Sequence, residues 1–465
     1  MMVALSLLSF TQRLEHKWLL MLSKNITQQF WRYSIPSVVA MIVSGIYLII
    51  DGIFIGQILG AEGLAAINLV WPIIFLVTGL GLMVGVGAGA LISIASGEGD
   101  KQRVQSLFNH ALLLMVLMAL IFSAILALLG ANPITWQGAS GNIQQLAESY
   151  LGILGNGALV VLFSCALPIL IRNDNSPNFA TILMVIGALA NIGLDYLFIV
   201  KWNWELAGAA YATLGAQAIV MLLALVYFGS RYSNLHFQFS GFRLNTRYLA
   251  NISNLGLSSF FTTVYTAFIT LIHNYLFLRY GSITETGAYA IVLYLSVIYY
   301  FIAEGFANGM QPLISYNYGA KRYDNVLKVM ALGFSIILGT GVAAVLLMNG
   351  FSEFSVGVFN NDDPALLDAT VSGIRLHLWA MPLDGLVFTG AVVFQSINRA
   401  SRATFISLGN MAIQLPFILV LPFLFGVKGI WLVMPLSTVL LSLLVAWWLV
   451  KLVQQFKAEL ALKQA

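Results

Sequence analysis

The chain has 465 residues, 60% of them hydrophobic and 9% charged, with a formal net charge of +4. So little charge cannot cover the surface of a water-soluble fold, which excludes soluble enzymes and soluble binding modules. The net charge calls for no nucleic-acid partner, and the single cysteine, Cys165, excludes an internal disulfide and any cysteine-based metal cage.

In chain order, residues 1–25 hold short apolar runs broken by Arg13, Glu15 and Lys17. No small-residue cleavage site precedes the first long run, so a cleaved signal peptide is not expected and 1–25 reads as an N-terminal segment outside the membrane. The runs that follow are continuous and about twenty residues or longer, which points to helices rather than to the alternating pattern of a barrel. Twelve spans are predicted at about 26–57, 65–95, 107–130, 145–171, 178–199 and 207–228, then 252–279, 288–316, 329–349, 372–396, 404–425 and 429–450. The 22 basic residues divide between alternate connections as 18 against 4, which predicts that both termini are cytoplasmic.

The second half repeats the first. LISIASGEGDKQRV at 91–104 matches LISYNYGAKRYDNV at 313–326, an offset of 222 that also pairs Gly87 with Gly309 and Gly97 with Gly319. Six spans per copy give both copies the same orientation, so the expected fold is all-α and polytopic: two six-helix bundles related by a pseudo-twofold axis along the membrane normal. The predicted organisation is an N-terminal lobe at 26–228, a cytoplasmic linker at 229–250, a C-terminal lobe at 251–450 and a cytoplasmic tail at 451–465. In such proteins substrate binds between the lobes, which rock about it.

Four acidic residues fall deep within apolar spans: Asp51, Asp195, Glu304 and Asp384. An ionised Asp at a helix centre costs roughly 2.5–3.5 kcal/mol on insertion scales, so each reads as a functional candidate beside the plainer reading of a buried hydrogen-bonding group. Ser37, Ser44 and Asp51, seven residues apart, form one polar stripe, and Asn191 lies one turn before Asp195. Glu304, Asn308 and Gln311 make a stripe on the eighth span, and His377 and Asp384 one on the tenth. Pro36 is expected inside the first helix, with Ser23 or Asn25 as its cap, where it removes the bond to the carbonyl of Arg32 and permits a kink. Gly81, Gly85 and Gly89 read as a close-packing face. His273, the repeat mate of Asp51, reads as a polar packing residue. With no HExxH, no Walker loop and no His/Cys metal group, catalysis is not expected.

Four segments together resemble one family: IPSVVAMIVSGIYLIIDGIFIGQILGAEGLAAINL at 35–69, ANIGLDYLFI at 190–199, GAAYAT at 208–213 and QPLISYNYGAKR at 311–322. The chain is similar over essentially its whole length to multidrug and toxic compound extrusion (MATE) transporters, most of all to the bacterial DinF-like branch. The resemblance implies a monomeric inner-membrane antiporter, with the lipid bilayer and no obligatory protein as its partner. It would exchange protons or sodium ions for amphipathic, often cationic drugs, with antibiotic resistance as a consequence and no other cofactor. It implies a cation site of Asp51, Asn191, Asp195, Tyr150 and Thr213, with protonation favouring a bend at Pro36. Cys165 replaces an asparagine found in related members. Glu304 and Asp384, with Asn308 and Gln311, are secondary candidates and keep sodium coupling open. A lipid-linked saccharide flippase is the alternative, weakened by the absence of any lysine or arginine from the middle of a span.

Overall fold

The computed structural model describes residues 25–237, 243–357 and 363–464, so the segment 1–24 and its candidate cap Ser23 lie outside the described residues. Among the described residues there is no strand, and eleven helices are long and apolar enough to cross a membrane. A bent pair completes twelve. The first six spans are α1 (Ile26–Gly60), α2 (Glu62–Glu98), α3 (Lys101–Leu129), α4 in two halves (Gly141–Asn156 and Ala158–Asn173), α5 (Pro177–Lys201) and α6 (Glu205–Gly229). The second six are α7 (Thr246–Tyr280), α8 (Thr284–Gly319), α9 (Tyr323–Gly350), α10 (Pro364–Ser396), α11 (Ala400–Phe425) and α12 (Val427–Gln464).

Local chemistry sets these limits. Asn25, Asp100, Asn245, Ser282 and Asp363 each accept a backbone N–H in the first turn of the helix they precede, at 2.9–3.1 Å. A cap of this kind is worth about 1 kcal/mol. Gly60 separates α1 from α2 with φ 63° and ψ −151°, a conformation that strains any residue with a Cβ. Several helices exceed their expected limits: α3 starts six residues early, α10 eight residues early, and α12 runs on through the predicted tail. The caps and turns, and not the end of the apolar run, stop the helix. The halves of α4 meet at 60° around Gly157, a bend that the unbroken apolar run of 145–171 conceals.

The duplication is visible in three dimensions. Gly99 (φ 80°) turns α2 into α3, and its repeat mate Lys321 (φ 56°) turns α8 into α9. Asn175 and Asn398 make the matching turns after α4 and α10. The lobes exchange helix starts: Ile26, Phe30 and Tyr33 of α1 pack in the core of the C-terminal lobe, while Ile252 and Leu255 of α7 pack in the core of the N-terminal lobe. Phe30 and Ile252, like Tyr33 and Leu255, are 222 apart.

Backbone meets backbone at the same end. A Cβ on Gly97 would collide with the Tyr316 carbonyl oxygen, and one on Gly319 with the Ile94 carbonyl oxygen, again 222 residues from its counterpart. Gly87 against Gly256 and Gly309 against Ser34 form a second reciprocal pair. The lobes are therefore closed on the side that carries the C-terminus and the α2–α3 and α8–α9 turns. Gly81, Gly85 and Gly89 pack α2 on α4, against Leu162, Ala166 and Asn173. The link between lobes is anchored on the same side. Buried Asp174 accepts from Tyr227 (2.8 Å), Ser233 (2.9 Å) and the amide (3.0 Å) and side chain (2.9 Å) of Asn234.

Overpacking a well-filled contact costs about 1–3 kcal/mol. Gly97→Ala and Gly319→Ala should each lower the thermal midpoint of the detergent-solubilised protein, and by similar amounts. Gly339→Ala, where a Cβ meets open space, should leave it unchanged or raise it.

Candidate functional site

Between the lobes lies a cavity of about 280 Å3. Its walls come from α1, α2, α4, α5 and α6 on one side and α7, α8 and α10 on the other. Ser44 and Tyr47 of α1, Asn191 of α5 and Thr213 of α6 face it from the N-terminal lobe. Just behind this wall stand Asp51, Asp195 and Tyr150, all buried.

The structure thus brings the five candidates of the N-terminal lobe into one cluster. Asp51 and Asp195 are close electrostatic neighbours, and Tyr150 stands beside both of them and beside Thr213. What sets the cluster apart is what its oxygens lack. Asp51 Oδ1, both carboxyl oxygens of Asp195 and both polar atoms of the Asn191 side chain are buried without a hydrogen-bond partner. Gln217, one turn beyond Thr213, adds an unpartnered Oε1. Buried polar atoms are almost always paired, so a group of unpartnered ones sets this cluster apart from the rest of the lobe. Immediately after Asp195 the helix widens into a π-helical turn at Tyr196–Lys201, an irregularity that recurs at functional sites. Neither Gln217 nor the π turn was among the sequence candidates, since one amide in an apolar run and a change of helical register carry no clear signal.

The stripe of α1 divides. Ser37 turns back to its own helix and donates to the Tyr33 carbonyl at 2.8 Å, whereas Ser44 faces the cavity. Pro36 lies inside the helix as expected, and the backbone stays helical through it. Its carbonyl accepts from the Thr181 hydroxyl of α5 at 2.8 Å. Cys165 forms part of the cavity wall.

The C-terminal acids are different. Asp384 accepts from Tyr300 (3.0 Å) and Thr438 (2.7 Å), which satisfies each of its oxygens inside the lobe. Glu304 and Asn308 line the cavity, with one long bond of 3.5 Å from Asn308 to Glu304. Gln311 lines it too, but braces the lobes by accepting from Asn173 at 3.1 Å. The stripe expected on α10 does not form. A tight turn at Leu378–Ala380 breaks the α-helical register, so His377 meets Trp431 while Asp384 meets Tyr300 and Thr438. His377 is also buried rather than solvated, because its helix begins at Pro364. A second correction concerns Arg172. Read as a loop residue, it is buried in the last turn of α4 and lines the cavity, so the cavity does hold a basic side chain. Among the described residues no cluster of three His, Cys, Asp or Glu side chains has the arrangement of a metal site.

Known proteins match this architecture. The MatE family model matches residues 36–197 and 258–420, two segments whose starts are 222 apart. The multidrug export protein MepA of Staphylococcus aureus (strain NCTC 8325 / PS 47) is 26% identical over 408 residues, covering 86% of this chain and 88% of that protein. A multidrug resistance MATE family transporter of the MOP superfamily, solved in an outward-facing conformation, superposes with a TM-score of 0.87 at 20% identity over 94% of this chain and 97% of its own. A MOP superfamily transporter from Pyrococcus furiosus Vc1 (DSM3638), whose reversed pocket polarity suggests a different function for it, does so with 0.87 at 20% over 93% and 97%.

Cys165 reports on this cavity directly. A methanethiosulfonate reagent should label it in the folded protein, and a ligand that fills the cavity should slow that labelling severalfold. Labelling at an unchanged rate would place the ligand elsewhere.

Proposed function

This chain belongs to the MatE family, and from that premise we propose that it exports amphipathic drugs in exchange for protons by alternating access. The relatives support the substrate class; the proton rests on Asp51 and Asp195. A carboxylate only accepts hydrogen bonds, so two neighbouring ones buried without donors call for a shared proton or a cation between them. They titrate as a pair, one acid on α1 and one on α5.

That placement links the proton to the cavity. Asp51 and Pro36 bracket the stretch of α1 that carries the cavity residues Met41, Ser44 and Tyr47. α5 touches both ends of the stretch, through Asp195 at one and through the Thr181 hydroxyl on the Pro36 carbonyl at the other. Pro36 cannot bond the Arg32 carbonyl, so α1 yields there most easily. A proton between the acids draws α1 toward α5, the stretch bends at Pro36, and its side chains advance into the cavity and expel substrate. Loss of the proton restores the cavity.

The distribution of basic residues supports a bacterial inner-membrane protein with the closed side of the lobes, and both termini, in the cytoplasm. The conformation described is then the one that releases substrate outward, as a monomer in the bilayer. Sodium is the second reading, favoured by the unpartnered Asn191 Oδ1, which with the two carboxylates offers a hard cation several oxygens. A saccharide flippase fits less well: one arginine in the cavity is too little charge for a pyrophosphate.

In liposomes containing the purified protein, an imposed proton gradient should drive uptake of a cationic dye, and a sodium gradient should not. Asp51→Asn and Asp195→Asn should each reduce the driven rate by about a hundredfold, the range of a lost proton-transfer group. Pro36→Ala should slow transport while leaving dye binding intact. Uptake driven by sodium alone would reassign the coupling ion, and full activity in both Asp variants would overturn the site.

A further inference from the structure

The coupling cluster uses one wall of the cavity and leaves the charges at its closed end unexplained. Arg172 is 4% exposed and lines the cavity. The ion pair found among the described residues, Arg103 with Glu98, does not involve it. No described side chain or carbonyl is hydrogen-bonded to its guanidinium. Glu304 lines the same cavity from the opposite lobe, held only by the 3.5 Å bond from Asn308. A buried charge is costly unless it is paired, and here two opposite charges face one space, within electrostatic range of each other but with no salt bridge between them.

Their backbones are held in register. Ser93 donates to Asn173 (2.7 Å), Asn173 to Gln311 (3.1 Å), Gln311 to Ser315 (3.0 Å) and Ser315 to the Ser396 carbonyl (2.9 Å). This chain crosses from one lobe to the other directly after Arg172 and two turns after Glu304. Each member is partnered, so it braces the floor and leaves the two charges above it for a ligand. The remaining wall is largely apolar, with Val86, Ile169, Val220, Phe388 and Val392.

We infer that this floor is a two-charge site for zwitterionic amphiphiles, in which Arg172 takes a carboxylate of the substrate and Glu304 its amine or iminium cation. The reading rests on the proposed drug export and narrows its substrate class. A ligand with only a cation answers Glu304 but brings a second positive charge close to Arg172 in a medium of low dielectric. An anion alone meets the mirror problem at Glu304. A zwitterion satisfies both, and the guanidinium suits a carboxylate because its planar fork can bond both oxygens.

A matched pair of dyes tests this: rhodamine B, a zwitterion at neutral pH, and its ethyl ester, which keeps only the cation. Binding to the full chain in lipid nanodiscs is read by fluorescence polarisation. The wild type should bind rhodamine B more tightly than the ester. Arg172→Gln should weaken rhodamine B by about tenfold or more and leave the ester within about twofold, as expected when one member of a buried charge pair is removed. Arg172→Lys, which keeps the charge, should restore part of the preference, and Glu304→Gln should weaken both dyes. Ester binding certifies the fold of the Arg172 variants, and an unchanged thermal midpoint that of Glu304→Gln. If Arg172→Gln weakens both dyes equally, or neither, the site is overturned, and the two charges serve each other or the fold. Wild-type protein that binds the ester but prefers it to rhodamine B overturns this inference alone. Wild-type protein that binds neither dye overturns drug export with it.

Discussion

Lipid tails are as apolar as leucine, so two bundles in a membrane gain little from burying apolar surface against each other. What joins them must be close van der Waals packing and exchange of structure. Here both are concentrated at one end and supplied twice. Gly97 and Gly319 let helix backbones meet across the interface, and the first turns of α1 and α7 enter the core of the opposite lobe. Everything else follows from closure at that end: the cavity opens above the closure, its floor is the braced Asn173–Gln311 contact, and α1 is gripped by both lobes. A helix anchored in one lobe and lining the cavity of the other is well placed to convert a change at its far end into movement.

Symmetry builds the frame, and departures from symmetry hold the chemistry. The repeat mate of Asp51 is His273, fully buried, bonded to the Ile269 carbonyl and stacked on Tyr289 at 5.4 Å. In the N-terminal lobe Asp51 Oδ1 and both oxygens of Asp195 lack donors, whereas Asp384 in the C-terminal lobe has a hydroxyl on each oxygen. Burial alone therefore does not separate the two arrangements; the presence or absence of partners does. The first arrangement leaves carboxyl oxygens without partners, and the second uses the carboxylate to join α8, α10 and α12.

Much of this was legible in the sequence because membrane helices obey few rules. Apolar run length gave twelve spans, and the offset of 222 gave the two lobes that the glycine contacts later displayed. Asp51, Asn191 and Asp195 stood out because acids and amides are expensive in hydrocarbon. The misreadings share one cause, which is that they depend on how helices meet. Arg172 ends an apolar run and reads as a loop cation until the opposite lobe covers it. Gly157 lies in a run that looks continuous, so the bend in α4 left no trace. The seven-residue spacing of His377 and Asp384 predicts a shared face only if the helix is regular, and the turn at Leu378–Ala380 makes it otherwise. Gln217 is a single amide whose meaning comes from the carboxylates beside it.

The central claim is that one proton and one substrate compete through the Asp51–Asp195 pair. Calorimetry of dye binding in buffers of different ionisation enthalpy counts the protons released per ligand bound. The account predicts release of about one proton by the wild type near neutral pH, and none by Asp195→Asn although the dye still binds, because linkage between two ligands is reciprocal. Tight binding by the wild type with no proton release would contradict it.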